Sequence, residues 1–454
     1  MNITLKNNLG FKWFANNTLF FKGYFYVDDY FYEKEDALNY LLNIKTVANF
    51  KAELNVINGV FSFIISLEDT ICIASDLTRS FPLFYTIQKG KLFLSDDILH
   101  LKKQFTIDDF DKISEIELKA SNHTHGKKTL LKNVFQVQAS EYLIINNDEV
   151  TAHNFFFSYA IEKESSDSYS SLKNKTIITF NNVFKRFIDS LNNRTIVVPL
   201  SGGFDSRLIA IMLKKYNYKN VVCYTYGRKD SFEIENSQKT AKTLNFEWHF
   251  IEYKDDLISD FLITDEFKDY AHFAGKLSSM PNLQEYFAVK HLKKNKLISN
   301  DAIFVPGYAG DLLGGSQFLK VIPENLKQEQ ITDLIIRKKF SNYPLSKTEK
   351  KTIKNQVEQN LFHFDENYVK KIPSSVFEDY DIKEKIAKYI FNSANFYTFF
   401  GYEHRFPFWD KELLDLFKKV PVKYKNMKML FNTVLINEYF KPNTVYFENE
   451  LQPS

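Results

Sequence analysis

Residues 195–210 read Thr-Ile-Val-Val-Pro-Leu-Ser-Gly-Gly-Phe-Asp-Ser-Arg-Leu-Ile-Ala, and this run constrains the fold more than any other part of the chain. Its spacing predicts a buried strand over 195–200, a turn with two glycines, and a helix over 206–216 whose apolar positions are Leu208, Ile211, Met212 and Leu213. Such a turn aims several backbone N–H groups and a helix N-terminus at one point, so an anion is held without a buried cation. Gly202 and Gly203 permit close approach of the backbone, and Ser201 and Ser206 offer hydroxyl donors. Asp205 is out of place beside an anion unless a divalent cation lies between them, and oxygen ligands suit magnesium. A bare Gly-Gly turn would read as a capped strand-to-helix corner. The preceding strand and the full six-residue run favour a loop that holds a nucleotide with its metal.

Strand and helix keep alternating after this loop. A strand is expected over 220–226, a helix over 233–244, a strand over 247–252, helical sequence up to residue 294, and a strand over 302–305. That order implies a parallel sheet wrapped by helices. From residue 323 onward the chain reads as mostly helical, with an aromatic helix over 382–400. Ahead of the loop the pattern differs: short aromatic and β-branched runs at 19–27, 60–67, 70–75, 83–87, 91–94, 134–137, 141–145 and 151–157 predict β-strands with few helices between them. The charged, Ser-rich stretch 162–171 separates the two patterns, giving expected domains of 1–165 and 166–454.

Length agrees, since 454 residues exceed a single ordinary core. A formal charge of +3 from 59 basic and 56 acidic residues supplies no field that would favour nucleic acid or a membrane surface. Cys72 and Cys223 both lie in apolar runs, so they read as buried free thiols rather than a disulfide or a zinc site. The first 21 residues do not resemble a signal peptide and no run of 18 apolar residues occurs, so the expectation is a cytoplasmic protein without a membrane span.

The run Ser201, Gly202, Gly203, Phe204, Asp205, Ser206 resembles the pyrophosphate loop of the ATP pyrophosphatases, which cleave ATP to AMP and pyrophosphate. It lacks the Lys of a Walker loop. Residues 305–315, Val-Pro-Gly-Tyr-Ala-Gly-Asp-Leu-Leu-Gly-Gly, are similar to the Gly-rich turn of asparagine synthetases, in which an Asp supplies a second magnesium ligand. Residues 401–410, ending in Glu403, His404, Arg405, Phe406, Pro407, Phe408, Trp409 and Asp410, resemble a further, chiefly architectural segment of that family. In the first half, residues 58–63, 76–85 and 93–96 resemble its glutaminase domain. The resemblance implies an N-terminal Ntn-hydrolase-like β-sandwich flanked by helices, followed by an α/β domain of the adenine nucleotide α-hydrolase kind with a helical C-terminal part. It also implies ATP and magnesium as cofactors. Asp205 and Asp311 are then the metal ligands; Ser201, Gly202, Gly203 and Ser206 cradle pyrophosphate; Leu200, Thr225 and Tyr226 border the adenosine, with Pro306 and Gly307 opposite.

The departures are as informative. Glutamine-hydrolysing members expose a Cys after removal of Met, whereas Asn2 follows Met1 here, and an amide side chain forms no thioester. The family's Asn-Gly-Glu segment is reduced to Lys22, Gly23, Tyr24 and Phe25. Where asparagine synthetases carry Glu in the second turn, this chain has Tyr308, as does the similar β-lactam synthetase, in which that Tyr helps deprotonate an amine. Tyr308 is therefore a candidate catalytic base, which requires a carboxylate or cationic neighbour, or else a wall of the substrate pocket. The family's catalytic Lys would fall near Glu448, Asn449 and Glu450, where no cation stands; Lys425, Lys428 and Lys441 are the candidate replacements.

These features lead to an AMP-forming carbon–nitrogen ligase that activates a small-molecule or peptide carboxylate as an acyl-adenylate for attack by an amine or free ammonia, without glutaminase activity. The alternatives are a catalytically inactive nucleotide-binding partner or scaffold and a glutamine-independent asparagine synthetase. Sulfur insertion into tRNA, which wants reactive thiols and a basic surface, is disfavoured. A homodimer or a partner protein is compatible with all of these readings.

Overall fold

The structure is a computed structural model that describes residues 2–447 other than 230, 255–256, 258–259, 319–324 and 363–369. The chain divides into two compact units, Met1–Glu162 with Lys268–Asn282 and Leu326–Asn395, and Lys163–Phe267 with Leu283–Asn325 and Phe396–Ser454.

The first unit is built on period-2 alternation. In the antiparallel pair Asn58–Leu67 and Thr70–Ser75, Ile64 faces Ile73, while Phe63 and Ile65 face Ala74 and Cys72 on the opposite side. Ile64 and Ile73 pack with Tyr85, Leu92 and Leu94, which come from a four-stranded sheet, so a seven-stranded and a four-stranded sheet lie face to face. The outer face of the larger sheet buries Phe21, Phe25, Phe61 and Phe63 against Ala37, Leu41, Phe50 and Leu54 of the helices Lys34–Leu41 and Val47–Val56. On the smaller sheet's outer face, Phe84 packs on Ile98 and Leu101 of the helix Ile98–Phe105. The unit is thus layered helix, sheet, sheet, helix.

The strands lie close to their expected positions, but the sequence reading named none of the helices between them. Each is short, and three start at side-chain caps: Thr46 Oγ1 accepts from Asn49 N–H at 3.1 Å, Asp97 Oδ1 from Leu99 N–H at 3.0 Å and Asp111 Oδ1 from Ser114 N–H at 2.8 Å. The expected single helix over 382–400 is instead a wide π-helical segment Ile382–Ile390, a tight turn Phe391–Ala394 and an α-helical turn Asn395–Phe399. Ser393 Oγ donates to Ile390 O at 2.5 Å and Asn395 Nδ2 to Asn392 O at 2.6 Å, which are side-chain bonds that compete with the helix ladder.

The second unit carries the expected parallel sheet, five strands in the order Glu247–Glu252, Val221–Gly227, Ile196–Pro199, Ile303–Phe304 and Glu403–His404. Every pairing is parallel, with Ile196 opposite both Val221 and Ile303. The chain builds outward from Ile196–Pro199 in one direction and then returns to build in the other. The C-terminal end of that strand is therefore the switch point, where the loops on either side diverge and open sheets bind ligands. Both Cys72 and Cys223 are buried and free of disulfides, and no described helix is long and apolar enough to cross a membrane.

Candidate functional site

At this switch point lies a cavity of about 910 Å³. Of the site residues expected from the sequence, Leu200, Ser201, Gly203, Asp205, Ser206, Thr225, Tyr226, Pro306, Gly307, Tyr308 and Asp311 all line it. Gly202 does not line it and instead turns its carbonyl to the Arg207 guanidinium.

The loop is closed on itself by its own hydroxyls. Ser206 Oγ accepts from Ser201 N–H at 3.1 Å, and Ser201 Oγ accepts from Gly203 N–H at 3.1 Å. The helix Phe204–Lys215 then starts with its N-terminus at the cavity. Arg207, fully buried in its first turn, also donates to Val445 O at 2.9 Å, with its guanidinium over the rings of Phe204, Phe440 and Phe447 at 5.5, 4.7 and 5.0 Å. The sequence reading gave Arg207 no role, because Val445, Phe440 and Phe447 lie at the far end of the chain.

Asp205 and Asp311 meet across the cavity floor, where Asp205 Oδ2 accepts the Asp311 N–H at 2.9 Å. Asp205 Oδ1 is buried with no hydrogen-bond partner. Burial, together with the negative charge of Asp311, raises the Asp205 pKa well above the usual carboxylate range, and Lys428 opposes that shift. Two carboxylates side by side with an idle oxygen form an oxygen-only donor set whose repulsion a bound cation relieves, so the residues fit magnesium. Two glycines make the approach feasible: a Cβ on Gly307 would lie 2.8 Å from Asp205 Cβ, and one on Gly310 would lie 2.7 Å from Asp205 Cγ.

Tyr308 has the carboxylate neighbour that the sequence did not reveal. Its hydroxyl is 3.4 Å from Glu285 Oε1, and its ring stacks on Phe406. Glu285, itself buried, also accepts from Tyr224 Oη at 2.5 Å and Tyr397 Oη at 2.7 Å, both on Oε2. Burial raises the Glu285 pKa, and the three tyrosine hydroxyls act in the other direction. Of the replacement cations considered, Lys428 lines the cavity. Lys425 is buried with its backbone and Cβ against Gly315, and Lys441 lies over the Tyr446 ring. Residues 448–450, where the family's Lys would stand, lie outside the described residues.

The segment 401–410 serves the frame. Arg405 and Arg194 both bind Glu403, at 3.1 and 2.9 Å, and Asp410 caps the helix Lys411–Phe417 while pairing with Arg186 at 2.8 Å.

Residues 191–361 match the asparagine synthase family. The 7-cyano-7-deazaguanine synthase of Sulfurihydrogenibium sp. (strain YO3AOP1) is 38% identical over 63 residues, 13% of this chain, and the chain spans only 28% of that protein's length. Among solved structures, the NH3-dependent NAD synthetase from Campylobacter jejuni is 15% identical with a TM-score of 0.23, over 43% of this chain and 96% of that one. NMN synthetase from Francisella tularensis is 13% identical with a TM-score of 0.22, over 42% of this chain and 87% of that one. The glutamine phosphoribosylpyrophosphate amidotransferase from B. subtilis is 11% identical with a TM-score of 0.21, over 65% and 62% of the two chains. Likenesses this slight bear no weight on activity. The family match encloses Ser201, Asp205, Glu285, Tyr308 and Asp311, and over residues 191–361 the chain is similar to asparagine synthases.

Proposed function

We propose that the protein is an ATP-dependent, AMP-forming carbon–nitrogen ligase that joins a carboxylate to an amine or to free ammonia. The observation that carries this reading is the loop 201–206 closed by its own hydroxyls at the sheet's switch point, facing the paired Asp205 and Asp311. The N–H groups at the start of the helix Phe204–Lys215 and the hydroxyls of Ser201 and Ser206 bind pyrophosphate oxygens. Leu200, Thr225 and Tyr226 border the adenosine, with Pro306 and Gly307 opposite. Asp205 and Asp311 would hold magnesium, which when bound neutralises charge on the leaving pyrophosphate. Lys428, on the cavity wall and close enough to Asp205 to favour its charged form, takes the place of the family's Lys as a clamp on the same charge. The substrate carboxylate attacks the α-phosphorus, its new O–P bond replacing the bond to the β-phosphate. Glu285 supports the reading of Tyr308 as a base rather than as pocket wall alone.

The layered first unit supports an Ntn-hydrolase-like domain that no longer hydrolyses glutamine. The only two thiols of the chain, Cys72 and Cys223, are fully buried, and burial pushes their pKa values up to about 11 and about 12, so neither supplies a thiolate nucleophile.

The test is pyrophosphate release from ATP with a panel of carboxylates, with and without ammonium, in wild type and Asp205→Ala. Release that depends on a carboxylate and disappears in the variant is expected. No release under any condition, with ATP binding intact, would instead favour a nucleotide-binding scaffold.

A further inference from the structure

The Glu285 carboxylate is loaded unevenly. Oε2 accepts two short hydrogen bonds, from Tyr224 and Tyr397, whereas Oε1 has the Tyr308 hydroxyl at 3.4 Å, longer than the usual O–H···O bond. Oε1 therefore keeps acceptor capacity. Glu285 is 6% exposed and lines the cavity, and no basic side chain among the described residues pairs with it. A buried carboxylate held only by neutral hydroxyls lacks its counter-charge.

Aromatic rings line the same cavity. Tyr226 and Tyr253 stack at 5.3 Å, Phe287 meets Tyr253 edge-on at 6.1 Å, and all three line the cavity together with Tyr308. Ring faces attract a cation, and the pairing of a buried carboxylate with several rings suits an ammonium group better than a hydrated metal ion. The volume of about 910 Å³ is near the upper end of the roughly 300–1,000 Å³ usual for ligand pockets, which leaves room for a second ligand beside a nucleotide.

We infer that Glu285 is the recognition group for the amine substrate, which enters as a primary ammonium ion with its charge on Glu285 Oε1 and its alkyl stem against the rings. This inference rests on the adenylating reading and narrows it: the nitrogen donor is a cationic amine held by a carboxylate from outside the Gly-rich turn. Glu285 positions the nitrogen, and Tyr308 beside it is the group placed to touch it.

Calorimetric titration of the full chain at pH 7 with n-butylammonium and with n-butanol, in wild type and Glu285→Gln, tests the assignment. Wild type should bind the cation about tenfold or more tightly than the alcohol, as expected for a hydrogen bond to a charged group, and Glu285→Gln should reduce the cation to the alcohol's level. Equal affinity for the two ligands in wild type, or a preference that survives in Glu285→Gln, would overturn it. If the variant does not fold, the wild-type preference decides alone. ATP binding by wild type, titrated separately, judges the nucleotide reading: its absence sinks that reading, while a preference for the cation still upholds the ammonium site.

Discussion

Substitution of Gly310 by Ala probes the Asp205 carboxylate without altering any charge. The added Cβ would lie 2.7 Å from Asp205 Cγ, 2.8 Å from Oδ2 and 3.0 Å from Oδ1. Non-bonded carbon atoms prefer about 3.5–4.0 Å, so roughly 1 Å of overlap must be relieved. If the backbone yields, the cost is that of overpacking, about 1–3 kcal/mol. For a domain of about 150–250 residues this lowers Tm by roughly 2–12 °C. If Asp205 yields, its carboxylate moves by about 1 Å, a misplacement that costs on the order of 100-fold in rate. Pyrophosphate release and differential scanning calorimetry together separate the two responses. Gly275→Ala is the control, because its Cβ would meet only Pro281 Cδ at 3.7 Å, an ordinary contact. Gly310→Ala with wild-type Tm and wild-type rate would refute the placement of Asp205.

Three other outcomes follow from the same structure. Arg207→Ala should lower the urea midpoint by an amount equivalent to roughly 2–4 kcal/mol and weaken ATP binding, since it removes the bonds to Gly202 O and Val445 O that tie the loop to the C-terminal segment; unchanged unfolding and affinity would contradict this. Burial, against a hydrogen bond from the His125 N–H, raises the Glu117 pKa from 4.5 to about 8. Its contribution to stability is therefore full below pH 4.5 and is lost as pH rises through 8, at up to about 1.4 kcal/mol per pH unit. Glu117→Gln should thus gain on wild type in urea titrations between pH 5 and pH 8, and parallel curves would count against the assignment. Glutamine should yield no glutamate in a coupled dehydrogenase assay, and hydrolysis abolished by Asn2→Ala would overturn that reading of the first unit.

How much of this was legible in the sequence depends on how local the cause was. The strand, turn and helix around Ser201 could be read because a buried run, two glycines and helical spacing are consecutive signals, and the strands expected at 19–27, 60–67 and 70–75 announced themselves as aromatic and β-branched runs between turn residues. The helices Lys34–Leu41 and Val47–Val56 were missed, although the Thr46 cap was available as a signal. Glu285 could not be found: its partners Tyr308, Tyr224 and Tyr397 lie 23, 61 and 112 positions away, so no spacing betrays the cluster. Lys428 was one of three candidate cations and only its place on the cavity wall singles it out; it takes a left-handed backbone with φ 56° just before the helix Met429–Val434, a local conformation that its side chain does nothing to advertise. Arg207 read as an ordinary helix residue because Val445 and Phe447 were needed to explain its burial.

The central claim is that the loop 201–206 directs cleavage between the α- and β-phosphates of ATP. Chromatographic identification of the nucleotide product, under carboxylate and amine conditions that consume ATP, tests it most directly. AMP with an equal amount of pyrophosphate, both lost in Asp205→Ala, is the predicted result; ADP with inorganic phosphate would contradict it.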